Sequence, residues 1–151
     1  MNHEFDILKK NRKLILNIID GFSMEQLNKI PDGFNNNIVW NIAHLTVIQQ
    51  ILCYQFSGLP VAISDEMTGL YQKGTSPRKE VSTDEFEEIK KLFLGLPLQF
   101  ERDYSNGIFK AYNEYTTSLN VTLSDIHSAI SFNNFHEGIH LGVILALKKL
   151  I

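Results

Sequence analysis

The sequence predicts an all-α protein, an up-down four-helix bundle with a long irregular connection between helices 2 and 3. Three observations carry this expectation. Four segments of bundle length have apolar residues at helical spacing or as nearly continuous runs. Three helix-capping patterns punctuate the chain. Sustained period-two alternation, the mark of half-buried strands, is absent. A length of 151 residues is that of one domain with a sizeable core, spanning residues 1–151.

The first long helix is expected from a cap at Asn2 to about Asp20, with Ile7, Leu8, Leu14, Ile15, Ile18 and Ile19 as its apolar stripe and Gly21 as its stop. The basic cluster Lys9, Lys10, Arg12 and Lys13 reads as the wet side of that helix. Ser23-Met24-Glu25-Gln26 has the capping-box form and opens a short helix; Pro31-Asp32-Gly33 is a turn. The second long helix should begin near Asn36 or Asn37 and reach about Phe56. No Asp, Glu, Lys or Arg lies between Asp32 and Asp65, so this helix belongs in the middle of the bundle. Asn41, His44, Thr46, Gln49, Gln50 and Gln55 interrupt it too often for a membrane span.

Residues 57–81 carry Gly58, Pro60, Gly69, Gly74 and Pro77 and read as a long irregular connection with one helical turn around Glu66–Tyr71. Ser82-Thr83-Asp84-Glu85 caps the third long helix, whose stripe is Phe86, Ile89, Leu92, Phe93 and Leu96. Gly95 and Pro97 should kink or end it; if it resumes, it reaches about Tyr104. Residues 108–121 read as extended loop or a short hairpin. Thr122 or Ser124 is the expected cap of the fourth long helix, which runs to about Leu150. Between Asp125 and Lys148 its only formal charge is Glu137, so it too reads as buried.

The composition narrows the function classes. Apolar residues make up 44% and charged residues 21%, as in ordinary globular proteins, and the net charge of −3 gives no footprint for nucleic acid. The single cysteine, Cys53, excludes an internal disulfide and fits a reducing compartment, and the N-terminus lacks signal-peptide character, so a cytoplasmic protein is expected.

The chemistry lies in the histidines. His136 and His140 stand four apart, which stacks both imidazoles on one helix face, about 6 Å apart at Cβ. A buried neutral imidazole without a partner costs about 1–3 kcal/mol, so the pair needs an explanation. A shared divalent metal is one; mutual hydrogen bonding in the core is the other. A metal held by side chains alone usually needs at least three ligands. His127, nine residues before His136, falls about half a turn away on the opposite face. His3 sits at a terminus. His44, on the other charge-free helix, is the histidine that a bundle can bring opposite the pair. Alone it would read as a core histidine bonded to a neighbour.

Two familiar motifs are present in part. His136-Glu137-Gly138-Ile139-His140 matches the H-E-x-x-H pattern of zinc proteases, but Leu141 to Ile151 offers no downstream His, Asp or Glu as a third ligand. Glu137 with His140 matches the Glu-x-x-His element of di-iron bundles, but the second such pair is missing: Asn41 precedes His44 and Ser124 precedes His127 at that spacing.

The stretches Ile38-Val39-Trp40-Asn41-Ile42-Ala43-His44-Leu45 and Phe135-His136-Glu137-Gly138-Ile139-His140-Leu141-Gly142, about ninety residues apart, resemble the second-helix histidine motif and the C-terminal H-x-x-x-H helix of the DinB-like superfamily of metal-binding four-helix bundles. The likeness spans nearly the whole chain. Carried over residue by residue, it implies a metal triad of His44, His136 and His140. It further implies thiol transfer of the mycothiol- and bacillithiol-dependent type, with a low-molecular-weight thiol as co-substrate, and a homodimer.

Three neutral imidazoles leave coordination positions for water, a thiolate or a substrate oxygen. The expected activity is therefore thiol S-transferase-like or hydrolase-like, on a small-molecule substrate. A non-catalytic, metal-stabilised bundle acting through protein interactions is the alternative. Imidazole suits zinc, nickel, copper and iron alike, with zinc or nickel expected here. Glu137 is the candidate base, Asn133 a candidate to orient a ligand, and Tyr71 and Tyr115 candidates to line the entrance. Neither a nucleic acid nor a membrane is an expected partner.

Overall fold

The computed structural model describes residues 1–151, which are mostly helical. Four long helices, two short ones and a two-stranded hairpin make up the chain. Helix α1 (Asn2–Ile18) follows Met1 as its cap rather than Asn2, and Gly21, at φ +84°, takes the left-handed turn that L side chains avoid. Helix α2 (Met24–Asn28) forms the full capping box: Gln26 N–H donates to Ser23 Oγ at 3.2 Å, and Ser23 N–H to Gln26 Oε1 at 2.9 Å. Helix α3 (Ile38–Gln50) starts where Asn37 Oδ1 accepts from Trp40 N–H at 2.8 Å, and it runs on through a π-helical turn, Ile51–Gln55. Helix α4 (Asp65–Tyr71), capped by Ser64, interrupts the irregular connection. Helix α5 (Thr83–Ser105) carries the second capping box, on Ser82 and Glu85.

Strand β1 (Tyr115–Thr116) pairs antiparallel with β2 (Thr122–Leu123), placing Tyr115 opposite Leu123. This pairing moves the start of the last helix. Thr122 is drawn into the ladder, and the cap of α6 (Ile126–Leu147) is Asp125, which exchanges bonds with Ser128. The expected cap at Thr122 is thus displaced by a strand that local pattern alone does not reveal, and the expected cap at Ser124 gives way to Asp125, whose side chain accepts from Ser128 N–H.

Helices α1 and α3 each pack against both α5 and α6. In α3 every residue except Ile48 is buried, as its freedom from charge foretells. Helix α6 departs from expectation. Phe135 and Ile139 are 54% and 45% exposed, so this apolar helix buries one side and presents apolar side chains to solvent on the other.

The basic cluster of α1 also divides. Lys10 pairs with Asp6 at the surface, but Arg12 is fully buried. Its Nε and Nη2 donate to Glu137 Oε1 at 2.9 and 2.7 Å, its Nη1 to the Phe93 carbonyl at 2.8 Å, and its Nη2 also to the Leu45 carbonyl at 3.2 Å. The Phe93 carbonyl is the one that Pro97, lacking an N–H, leaves without its helical donor. Arg12 supplies that donor, and its guanidinium lies 4.7 Å from the Phe93 ring centroid. Helix α5 therefore passes through Gly95 and Pro97 unbroken to Ser105.

A buried pair of this kind contributes little against an apolar isostere, but breaking it leaves an unpaired buried charge, a loss of about 3–5 kcal/mol. Arg12→Leu is expected to lower unfolding stability in urea by that amount. Adding Glu137→Leu should recover a large part of the loss. Equal stability of the single and double variants would show that the two residues do not act as a unit.

Candidate metal centre

His44 comes from the middle of α3, and His136 and His140 from successive turns of α6. Because α3 packs on α6, the three imidazoles converge. Their ring centroids stand 4.5 Å apart for His136 and His140, 4.8 Å for His44 and His140, and 5.3 Å for His44 and His136. One ring nitrogen from each lies within 4.8 Å of the others, a group that can hold a metal ion. His3 stays exposed on α1, and His127 packs edge-on against Tyr104, away from this group.

The tautomers follow from the neighbours. A carbonyl oxygen only accepts, so His44 Nδ1–H donates to Tyr71 O at 2.6 Å and leaves the Nε2 lone pair free. The Asn41 amide nitrogen donates to Asn36 Oδ1 and to the Asn37 carbonyl, which turns Asn41 Oδ1 toward His140. His140 Nδ1–H donates to that oxygen at 2.7 Å, again freeing Nε2. Outer partners of this kind fix ring orientation and tautomer at metal sites. His140 Nε2 and His136 Nε2 are 3.1 Å apart, close to the spacing of about 3 Å that two nitrogens take on one ion with bonds of about 2.1 Å. His136 Nδ1 is buried without a partner. Trp40 stacks on His44 at 4.5 Å and 14°, with its indole N–H on Thr75 Oγ1.

Burial disfavours the imidazolium form of all three. It pushes His136 down to about 3, helped by repulsion from His140 and His44, and His140 down to about 4, helped by His44. His44 is lowered by burial, against the pull of the Tyr71 carbonyl. The neutral form that remains is the one that ligates metal.

The imidazoles of His44 and His136 border a cleft of about 350 Å³ whose other walls come from the end of α3, the π-helical turn, Gln72 and Lys73 after α4, the hairpin and α6. Tyr115 lines it and stacks on Phe56 at 4.6 Å and 17°. Tyr71 serves through its carbonyl, while its ring packs in the core. Glu137, 1% exposed, is held by Arg12 and by Asn11 on α1, and Asn133 also turns to Glu137, at 3.4 Å, rather than to an imidazole. The residue whose part in the site sequence reasoning passed over is Asn41, read as a polar break in an apolar run and as a non-carboxylate before His44. An amide one turn before a histidine on a buried helix was its signal.

The lowered values fix a pH dependence. In the folded, metal-free chain His136 and His140 stay neutral until well below pH 6.5, whereas in the unfolded chain they protonate near 6.5. The unfolded state then binds more protons, so stability is complete above that value and declines as pH falls toward 4. The melting temperature of metal-free protein should fall between pH 7 and pH 5, and His136→Leu should flatten that fall. An unchanged slope in the variant would contradict the assigned cause.

A family model described as the DinB superfamily matches residues 7–144, a span that holds α3, most of α6 and the three clustered histidines. No curated protein sequence matches the chain. With the family model covering most of its length, the chain belongs to the DinB superfamily.

Proposed function

We propose that this protein is a metal-dependent enzyme that holds one divalent ion, zinc or nickel, on His44 Nε2, His136 Nε2 and His140 Nε2 and acts on a small molecule in the adjoining cleft. The observation that carries the reading is the convergence of three neutral imidazoles, two with their tautomers set by Tyr71 and Asn41, at the edge of that cleft. When bound, such an ion lowers the pKa of a coordinated water toward about 7 or keeps a thiol as its thiolate. The chain's own part is to supply neutral donors, to hold them in register and to keep an apolar space beside them. No carboxylate borders the cleft, and Glu137 is engaged by Arg12. That distribution favours thiol S-transfer with a low-molecular-weight thiol over hydrolysis, because a bound thiolate needs no separate base, whereas attack by water gains from one. The alternative is a non-catalytic metal-stabilised bundle that acts through protein interactions.

In this proposal the four long helices run up and down, the chain works in the cytoplasm, and two copies pair. The half-exposed apolar residues on α1 and α6, among them Ile7, Leu14 and Phe135, support pairing. Light scattering at micromolar concentration should give a dimer mass; a monomer mass would remove that part. No helix is long and apolar enough to cross a membrane.

The metal assignment is tested on chelator-treated, untagged protein. Zinc or nickel at a thousandfold excess over its dissociation constant should stabilise the wild type by about 4 kcal/mol. His44→Ala should lose metal affinity by orders of magnitude and show no metal-induced rise in melting temperature, while His127→Ala keeps both. Wild-type metal affinity in His44→Ala would end the three-histidine reading. Metal-loaded protein should then turn over electrophiles with a low-molecular-weight thiol. A screen with no rate above background would favour the non-catalytic bundle.

A further inference from the structure

The cleft beside the histidines has an unusual charge pattern. Lys73 is the one formally charged side chain on its lining. It is exposed, it lies two residues beyond the carbonyl that orients His44, and no carboxylate pairs with it. No Asp or Glu shares the lining with it. The rest of the lining is mainly apolar. Phe56 and Tyr115 form a stacked aromatic wall, with Ile48, Leu52 and Phe132 among the other apolar side chains. A volume of about 350 Å³ lies at the small end of the usual ligand-pocket range of about 300–1,000 Å³.

An apolar wall rewards burial of an apolar body, because it removes apolar surface from water. A lone cation on an apolar cleft with no acidic neighbour in the lining favours an anion over a neutral or cationic ligand. We propose that the cleft binds a small amphipathic anion, an aromatic or branched aliphatic carboxylate, with its carboxylate at Lys73 and its apolar body against the Phe56–Tyr115 wall, presented to His44 and His136. Its role as the substrate class of the metal site rests on the proposed function; its binding does not.

The probes are 2-naphthoate and its neutral counterpart 2-naphthalenemethanol, titrated calorimetrically into chelator-treated protein near pH 8, where the imidazoles are neutral and no metal can capture the carboxylate. Both should bind, with the anion tighter by roughly two- to fivefold, the scale of an exposed ion pair. The preference should vanish in Lys73→Met and shrink in about 0.5 M salt. Ile139→Asp alters a half-exposed residue of the lining, so the fold should persist by circular dichroism, while both probes weaken by about tenfold or more. Failure of both probes to bind overturns the proposal, as does equal affinity for the two, a preference that survives Lys73→Met, or binding unchanged in Ile139→Asp. Metal uptake is read separately on wild type and Lys73→Met. Full uptake without anion preference removes only the ligand class, and anion binding without metal uptake removes only the metal reading.

Discussion

The Arg12–Glu137 ion pair is the constraint on which the rest of the structure depends. One guanidinium on α1 reaches a carboxylate on α6, a carbonyl of α5 and a carbonyl of α3, so all four long helices meet at a single planar group. The residues it grips on α3 and α6 are adjacent to histidines of the candidate metal site in sequence: Leu45 follows His44, and Glu137 follows His136. The same contacts that tie the bundle together therefore fix the longitudinal register of α3 against α6. A site assembled from two helices requires that register, because displacement by even about 1 Å spoils convergence on one ion. Glu137 thus bears on the site by holding its backbone in place.

Much of this arrangement was legible in the sequence, and the rest was hidden for identifiable reasons. The i, i+4 spacing of His136 and His140 and the charge-free run around His44 are local patterns, and helix geometry turns them directly into faces. The capping boxes at Ser23 and Ser82 are equally local. Arg12 was misread because its neighbours Lys9, Lys10 and Lys13 suggested a wet face, yet Phe5, Leu8, Arg12 and Ile15 follow the three–four spacing of a buried stripe. Its carboxylate partner is 125 residues away, and no local pattern links the two. The passage of α5 through Pro97 depends on the same distant residue. The cap of α6 was missed because Thr122 has a competing use in a two-residue strand, and the solvent-facing apolar side of α6 carries no signal that separates it from a buried one.

The π-helical turn at the end of α3 has a comparable effect on the cleft. Ile48, Leu52 and Phe56 recur every four residues and all line it. In a regular α-helix a four-residue step drifts by about 40° around the axis. The wider turn at Ile51–Gln55 takes more residues per revolution and so reduces that drift, which keeps Phe56 on the cleft side to meet Tyr115. Such turns recur at functional sites for this reason: they re-aim side chains without ending the helix.

Trp40 is the only tryptophan in the chain, and it lies flat against His44. Its intrinsic ultraviolet emission is consequently not an average over the molecule. It originates in van der Waals contact with a candidate ligand, and quenching by that imidazole depends on the ring's protonation and on whatever its far nitrogen binds. The fold has placed a native fluorophore at the one position where its light reports on the centre, without label or engineered probe.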